Sequence, residues 1–101
     1  MFTHSDIITI EEDDDASPLD LALSLQRAIN DGLWSLQGSY GRSMMAAIAA
    51  GECALGERSY RDYYGSHIPA RGDVKPGTKG SIEFVEANMG AEWRAAIEGV
   101  K

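Results

Sequence analysis

Apolar residues recur at helical spacing once the chain passes Pro18. Leu21, Ala22, Leu25, Ala28, Ile29, Leu33 and Leu36 form one broad stripe, the pattern of a helix that buries a single face. Its start is well marked. Ser17 can accept a backbone N–H, Pro18 suits the first helical position, and Asp20 favours the positive end of the helix dipole. The stripe predicts a helix over about 18–37, weakened inside by Gly32. Trp34 borders the stripe and is placed to cover a neighbouring helix. Gly38-Ser39 then breaks the pattern, and Ser39 can cap a second helix over about 40–50, rich in Met and Ala. Gly51 follows, where a left-handed C-terminal cap belongs. The short connection predicts an antiparallel helical hairpin. Ser81 or Thr78 caps a third helix with Ile82, Val85 and Met89 on its buried line and Gly90 as its stop. A last short helix over about 91–98 carries Trp93, Ala96 and Ile97.

Two stretches break this helical texture. Residues 6–10 read Asp-Ile-Ile-Thr-Ile, β-branched residues that predict a short strand or extended arm. Glu11, Glu12, Asp13, Asp14 and Asp15 follow without interruption, and their mutual repulsion predicts an exposed connector. Between residues 51 and 80 lie six glycines, two prolines, Tyr60, Tyr63, Tyr64 and five of the nine basic residues. That span reads as irregular, with one helical turn near 59–64. Long irregular segments in small domains are often functional. The expected fold is therefore mainly α. It has a small three- to four-helix domain at 17–101 and an acidic extended N-terminal arm or short strand at 1–16. Its expected core is Leu21, Leu25, Ile29, Leu33, Met45, Ile48, Leu55, Val85, Trp93 and Ile97. Each large side chain buried there contributes about 1.5–3 kcal/mol.

Charge sharpens the division. All of the net −7 lies in the first twenty residues, where seven acids meet no Lys or Arg; beyond them nine acids face nine bases. Such a field repels nucleic acid at long range, so duplex binding would need a local basic patch. The chain of 101 residues has room for one domain. Cys53 is its single cysteine, which rules out an internal disulfide and suits a reducing, cytosolic setting. No apolar run reaches the roughly 20 residues needed to span a bilayer. The N-terminus turns acidic where a signal peptide would be basic and then apolar.

Residues 38–93 resemble a group of small accessory proteins encoded by actinobacterial phages and prophages. The likeness rests on Gly38-Ser39-Tyr40-Gly41-Arg42, on 51–56, and on Arg61-Asp62-Tyr63-Tyr64-Gly65. It continues through Ile68-Pro69-Ala70-Arg71, Pro76-Gly77-Thr78-Lys79-Gly80-Ser81 and Met89-Gly90-Ala91-Glu92-Trp93. It covers rather more than half of the chain and leaves out the leader before Ser17. It implies a phage-encoded accessory protein in the cytoplasm of a bacterial host or on the virion. It carries no activity and no catalytic residues.

The motifs that could carry chemistry are weak. Gly72 to Lys79 ends Gly-Thr-Lys where a phosphate-binding loop needs Gly-Lys-Ser/Thr, and no strand precedes it. Ser43 lacks the second glycine of a nucleophile elbow. Cys53 beside Ala54 and Leu55 reads as a core thiol, and nothing in the sequence places His67 near it. His4 and His67 do not define a metal site, and the acidic run lacks the spaced ligands of a calcium loop. Arg71-Gly72-Asp73 matches an adhesion tripeptide of the kind that arises by chance. No enzyme and no cofactor is expected.

The best candidate surface is basic and aromatic: Arg58, Arg61, Tyr63, Tyr64, Arg71, Lys75 and Lys79, with Tyr60 among them. Arg and Tyr dominate protein hot spots and also suit phosphates and stacked bases. The competing structural reading has the tyrosines closing a small core while the arginines reach solvent. The acidic run Glu11–Asp15 is either a solvated tail or an arm for a basic partner surface, and it could also fold back onto 58–79. The leading expectation is a non-enzymatic protein that binds a host or phage protein through the acidic arm and the basic-aromatic segment. A homo-oligomeric or virion-associated structural protein is the first alternative. Nucleic acid ranks below both, and no membrane is involved.

Overall fold

Ser17 caps as its sequence implies: its Oγ accepts the Asp20 N–H at 3.1 Å, and a helix begins at Pro18. The computed structural model describes residues 2–11, 15–35 and 38–100, with the backbone alone at 38 and 39. The described residues form five helices, two more than the lower expectation and one more than the upper. They are α1 (His4–Glu11), α2 (Pro18–Asn30), α3 (Gly38–Ala49), α4 (Ile82–Met89) and α5 (Ala91–Glu98). Two short strands, β1 (Tyr60–Arg61) and β2 (His67–Ile68), pair antiparallel with Tyr60 opposite Ile68 and Arg61 opposite His67. The mainly α class is observed. None of these helices is long and apolar enough to cross a membrane.

The leader departs from expectation. Residues 4–11 are helical, neither extended nor a strand. The reason is a start signal that β-propensity conceals. Thr3 and Asp6 form a Thr-x-x-Asp capping pair, in which the Asp6 carboxylate accepts the Thr3 N–H at 2.9 Å. A helix of eight residues is unstable alone, so packing must hold it. The other Asp6 oxygen accepts the Ser24 hydroxyl at 2.8 Å and Arg27 Nη1 at 2.7 Å, both from α2. Phe2 stacks edge-on against Tyr40 of α3, with ring centroids 6.4 Å apart.

Helix α2 stops at Asn30, short of the expected residue 37. Gly32 has φ +74°, and a Cβ there would run into the Tyr60 ring. The chain therefore turns at a position where only glycine fits. A 3-10 turn, Leu33–Ser35, follows, and Trp34 inserts from it into the core at 2% exposure. Leu36 and Gln37, the predicted end of the stripe, lie outside the described residues. α3 ends at Ala49, with Gly51 at φ +76° as anticipated. Ser81 caps α4 through the Phe84 N–H at 3.1 Å, and Gly90 separates α4 from α5.

The core lies between α2, α3, α4 and α5. Ile29, Met44, Cys53, Val85 and Ile97 are essentially sealed from solvent. Two expected core residues are exposed: Leu21 at 37% and Met45 at 49%. Leu33 and Trp93 are half-buried. The buried face of α3 runs Tyr40, Met44, Ala47, Ile48, which turns the adjacent Met45 outward.

The irregular span is held by polar side chains. Gln26, fully buried on α2, donates to the Ala54 carbonyl and accepts the Ala54 N–H, both at 2.9 Å. Its amide thus acts as a strand edge for residues 53–55. The Leu55 N–H bonds to Gly80 O at 2.9 Å, and Trp93 Nε1 donates to Glu52 O at 2.9 Å. No buried side-chain polar atom among the described residues lacks a partner, as a well-packed interior requires.

Candidate functional site

Residues 58–79 separate into two surfaces that share no lining residue. The first is built on the β1–β2 hairpin. Asp62 closes its turn: Oδ1 accepts the N–H groups of Tyr64 at 2.9 Å and Ser66 at 2.8 Å. Arg61 Nη1 donates across the turn to Gly65 O at 2.9 Å. The Tyr63 N–H anchors the hairpin to Trp34 O at 3.1 Å. The expected helical turn at 59–64 is thus a hairpin, because an Asx turn and a glycine with φ +81° reverse the chain within four residues. The reversal thrusts two aromatic rings outward. Tyr63 is 64% exposed and Tyr64 79%, and their rings meet edge to face with centroids 5.2 Å apart. They border a pocket of about 200 Å³ floored by Trp34 and Ile68 and rimmed by Met45, Arg42 and Asp62. Aromatic and Met side chains thus form an exposed apolar patch around a depression.

The second surface is a polar cleft of about 600 Å³ between the end of α2, the Glu57–Tyr60 segment, Arg71 and the end of α5. Arg58 and Arg71 both line it, with Asn30, Asp31, Glu57 and Glu98. Arg71 belongs to a 3-10 turn, Arg71–Asp73, in which the Asp73 carboxylate accepts the Ala70 N–H at 3.1 Å. The Arg-Gly-Asp sequence therefore builds a local turn. Tyr60 takes the core role that the competing reading gave to all three tyrosines: it is half-buried and donates its hydroxyl to Asn30 O at 3.3 Å.

The remaining predicted residues are dispersed. Lys75 and Lys79 are exposed in the turn before Gly80 and line neither pocket. In the leader, Asp6 engages Arg27 and not the 58–79 cations. Glu11 ends α1, where it accepts a hydrogen bond from the Tyr40 hydroxyl; burial first, and then this bond, hold the Tyr40 pKa above its usual value. Asp15 lies exposed in a turn, and Glu12, Asp13 and Asp14 lie outside the described residues.

Among the described residues the other motifs of the sequence take the following places. Cys53 is sealed in the core with its thiol against Ala22 O at 3.2 Å, and burial, aided by Glu52, pushes its pKa up to about 12. His67 is exposed on β2. The Gly77 N–H is spent on Ser81 Oγ at 3.0 Å, and Ser81 in turn donates to Thr78 O at 2.7 Å. The glycine-rich segment thus assembles the α4 cap and has no phosphate-cradle form. Among the described residues no cluster of three His, Cys, Asp or Glu side chains is placed to hold a metal.

Met45, Trp34, Ile68 and Arg42 were not foreseen beside Tyr63 and Tyr64. The Tyr40–Met44–Ala47–Ile48 spacing is compatible with Met44 in the core, but Met45 lies three residues before Ile48 and suits the same face, so spacing alone carried no deciding signal. Comparison with known protein families, curated proteins and solved structures finds no match for this chain.

Proposed function

We propose that this chain is a non-enzymatic phage accessory protein that acts in the bacterial host by binding another protein through the Tyr63–Tyr64 face. The observation that carries the reading is the pair of outward tyrosines, 64% and 79% exposed, fixed by the Asp62 turn over an apolar pocket. Leaving two aromatic rings in water forgoes their burial energy, whereas a partner that covers them recovers it. The hairpin is preorganised, so little ordering entropy opposes docking. The partner's chemistry follows from the surroundings. An apolar side chain fits the pocket beside Arg42 and Asp62, and the net charge of −7, carried by the first twenty residues, favours a basic partner at long range. The phage assignment rests on the resemblance over residues 38–93.

The test is capture from an actinobacterial host lysate with three versions of the full chain: wild type, Tyr63→Ser with Tyr64→Ser, and Glu12→Gln with Asp13→Asn and Asp14→Asn. The tyrosine variant should keep its circular dichroism and bind its partner about 30-fold more weakly, the loss expected for one strong hot spot. The acidic variant should slow association and flatten its salt dependence. Undiminished capture by the tyrosine variant would refute the assignment of the face. Capture of nucleic acid, or a mass that grows with concentration, would replace the protein partner by the corresponding alternative.

A further inference from the structure

The Arg58–Arg71 cleft has an unusual imbalance. It is lined by two arginines and three carboxylates, yet no ion pair within 4 Å joins them; the ion pairs among the described residues belong to Arg27 and Arg94. The carboxylates are engaged elsewhere. Asp31 Oδ2 accepts the Phe2 N–H at 2.6 Å, and Glu98 Oε1 accepts Arg94 Nε at 3.2 Å. Glu57 also lines the cleft, and among the described residues it makes no hydrogen bond or ion pair.

Arg71 is held as a fork. Its backbone N–H donates to Gly56 O at 2.7 Å, and its Nε–H donates to Leu55 O at 2.8 Å. Those bonds fix the plane of the guanidinium, and among the described residues its Nη hydrogens meet no hydrogen-bond acceptor. The group is half-buried, so its field is less screened than that of an arginine free in solvent. Arg58 adds a second, unanchored fork on the same cleft.

We propose that this cleft binds a small hydroxylated phosphate monoester, with the phosphate on Arg71 and Arg58. The inference is independent of the Tyr63–Tyr64 face. Guanidinium forks match oxyanions through paired N–H donors. A carboxylate offers one two-oxygen edge, which a single fork fills. A phosphate monoester offers three oxygens and up to two charges, which occupy both. The remaining volume exceeds a phosphate ion, and the Glu57 and Asp31 carboxylates on its lining are acceptors for hydroxyl groups, whereas the Asn30 amide is already bonded to Gln26 and to Val100 O.

Calorimetric titration of the full chain with ribose 5-phosphate, inorganic phosphate and ribose tests this. Ribose 5-phosphate should bind saturably and more tightly than inorganic phosphate, ribose should not bind, and affinity should fall with added salt. Arg58→Ala, at an exposed position, should keep the fold and weaken binding about tenfold or more, as loss of a charge-assisted contact implies. Arg71→Lys retains a cation but loses the fork and should weaken binding at least as much. Tyr63→Ser with Tyr64→Ser should leave binding unchanged, which separates this site from the docking face. Absence of saturation at millimolar ligand, or equal affinity in wild type and Arg58→Ala, would overturn the proposal. Equal affinity for inorganic phosphate and ribose 5-phosphate would overturn the ester assignment.

Discussion

Replacing Asp6 should detach the leader helix. Its carboxylate accepts from the Thr3 N–H, the Ser24 hydroxyl and Arg27 Nη1, so α1 is capped and docked by one side chain. Asp6→Ala removes the cap, which costs about 1 kcal/mol. It also strands the Ser24 hydroxyl, which is 3% exposed, at about 1–3 kcal/mol. Breaking a buried ion pair costs about 3–5 kcal/mol. Here the figure is smaller because the Arg27 side chain is 34% exposed and can turn to water. These effects overlap, and the total is about 2–4 kcal/mol. With a urea dependence of about 1–2 kcal/mol/M, the midpoint should fall by about 1–4 M. Fluorescence of the buried Trp34 provides the assay. Acid adds a second readout. Burial alone would raise the Asp6 pKa, but Thr3, Ser24 and Arg27 together bring it below 3.8. The unfolded chain therefore takes up this proton first as pH falls. The stabilisation is present above the unfolded pKa and is lost as pH drops through the folded one. Asp6→Asn should remove that part of the acid transition, since an amide does not titrate. A midpoint shift below about 0.3 M for Asp6→Ala, or an acid limb in Asp6→Asn identical to wild type, would refute the reasoning.

Two further outcomes test the packing. Met44 is fully buried and Met45 is 49% exposed, so Met44→Ala should cost about 2–5 kcal/mol and Met45→Ala less than about 0.5 kcal/mol; chemical denaturation of both variants checks the outward assignment of Met45. Cys53, with its pKa pushed up to about 12 by burial, should react with a thiol-specific reagent at pH 8 only after unfolding in denaturant, and rapid labelling of the native chain would contradict its place in the core.

Local chemistry made much of the helical frame readable. Ser17-Pro18, Gly51, Ser81 and Gly90 act within a few residues of themselves, so their capping roles survive any tertiary arrangement. The interval of α5 was legible for the same reason. Thr3-x-x-Asp6 was equally local but was masked by the β-branched run beside it. Propensity is a weak preference, and α2 overrides it by supplying Ser24 and Arg27 to Asp6.

Tertiary contacts decided what spacing could not. Met44 and Met45 both suit a helix that buries Ile48, and only the position of the neighbouring helices selects between them. Gly32 could have been an interior helix residue; the Tyr60 ring, brought from 28 positions away in sequence, makes it a stop. The basic-aromatic segment was visible as composition. Its division into an aromatic face and an arginine cleft depended on where the Asp62 turn points and on the Leu55 carbonyl reaching Arg71. The amino-acid sequence alone set the helical class, the caps and the charge asymmetry, because those follow from neighbours along the chain. Which side chains reach the surface was left to the fold, because exposure is a property of what packs alongside.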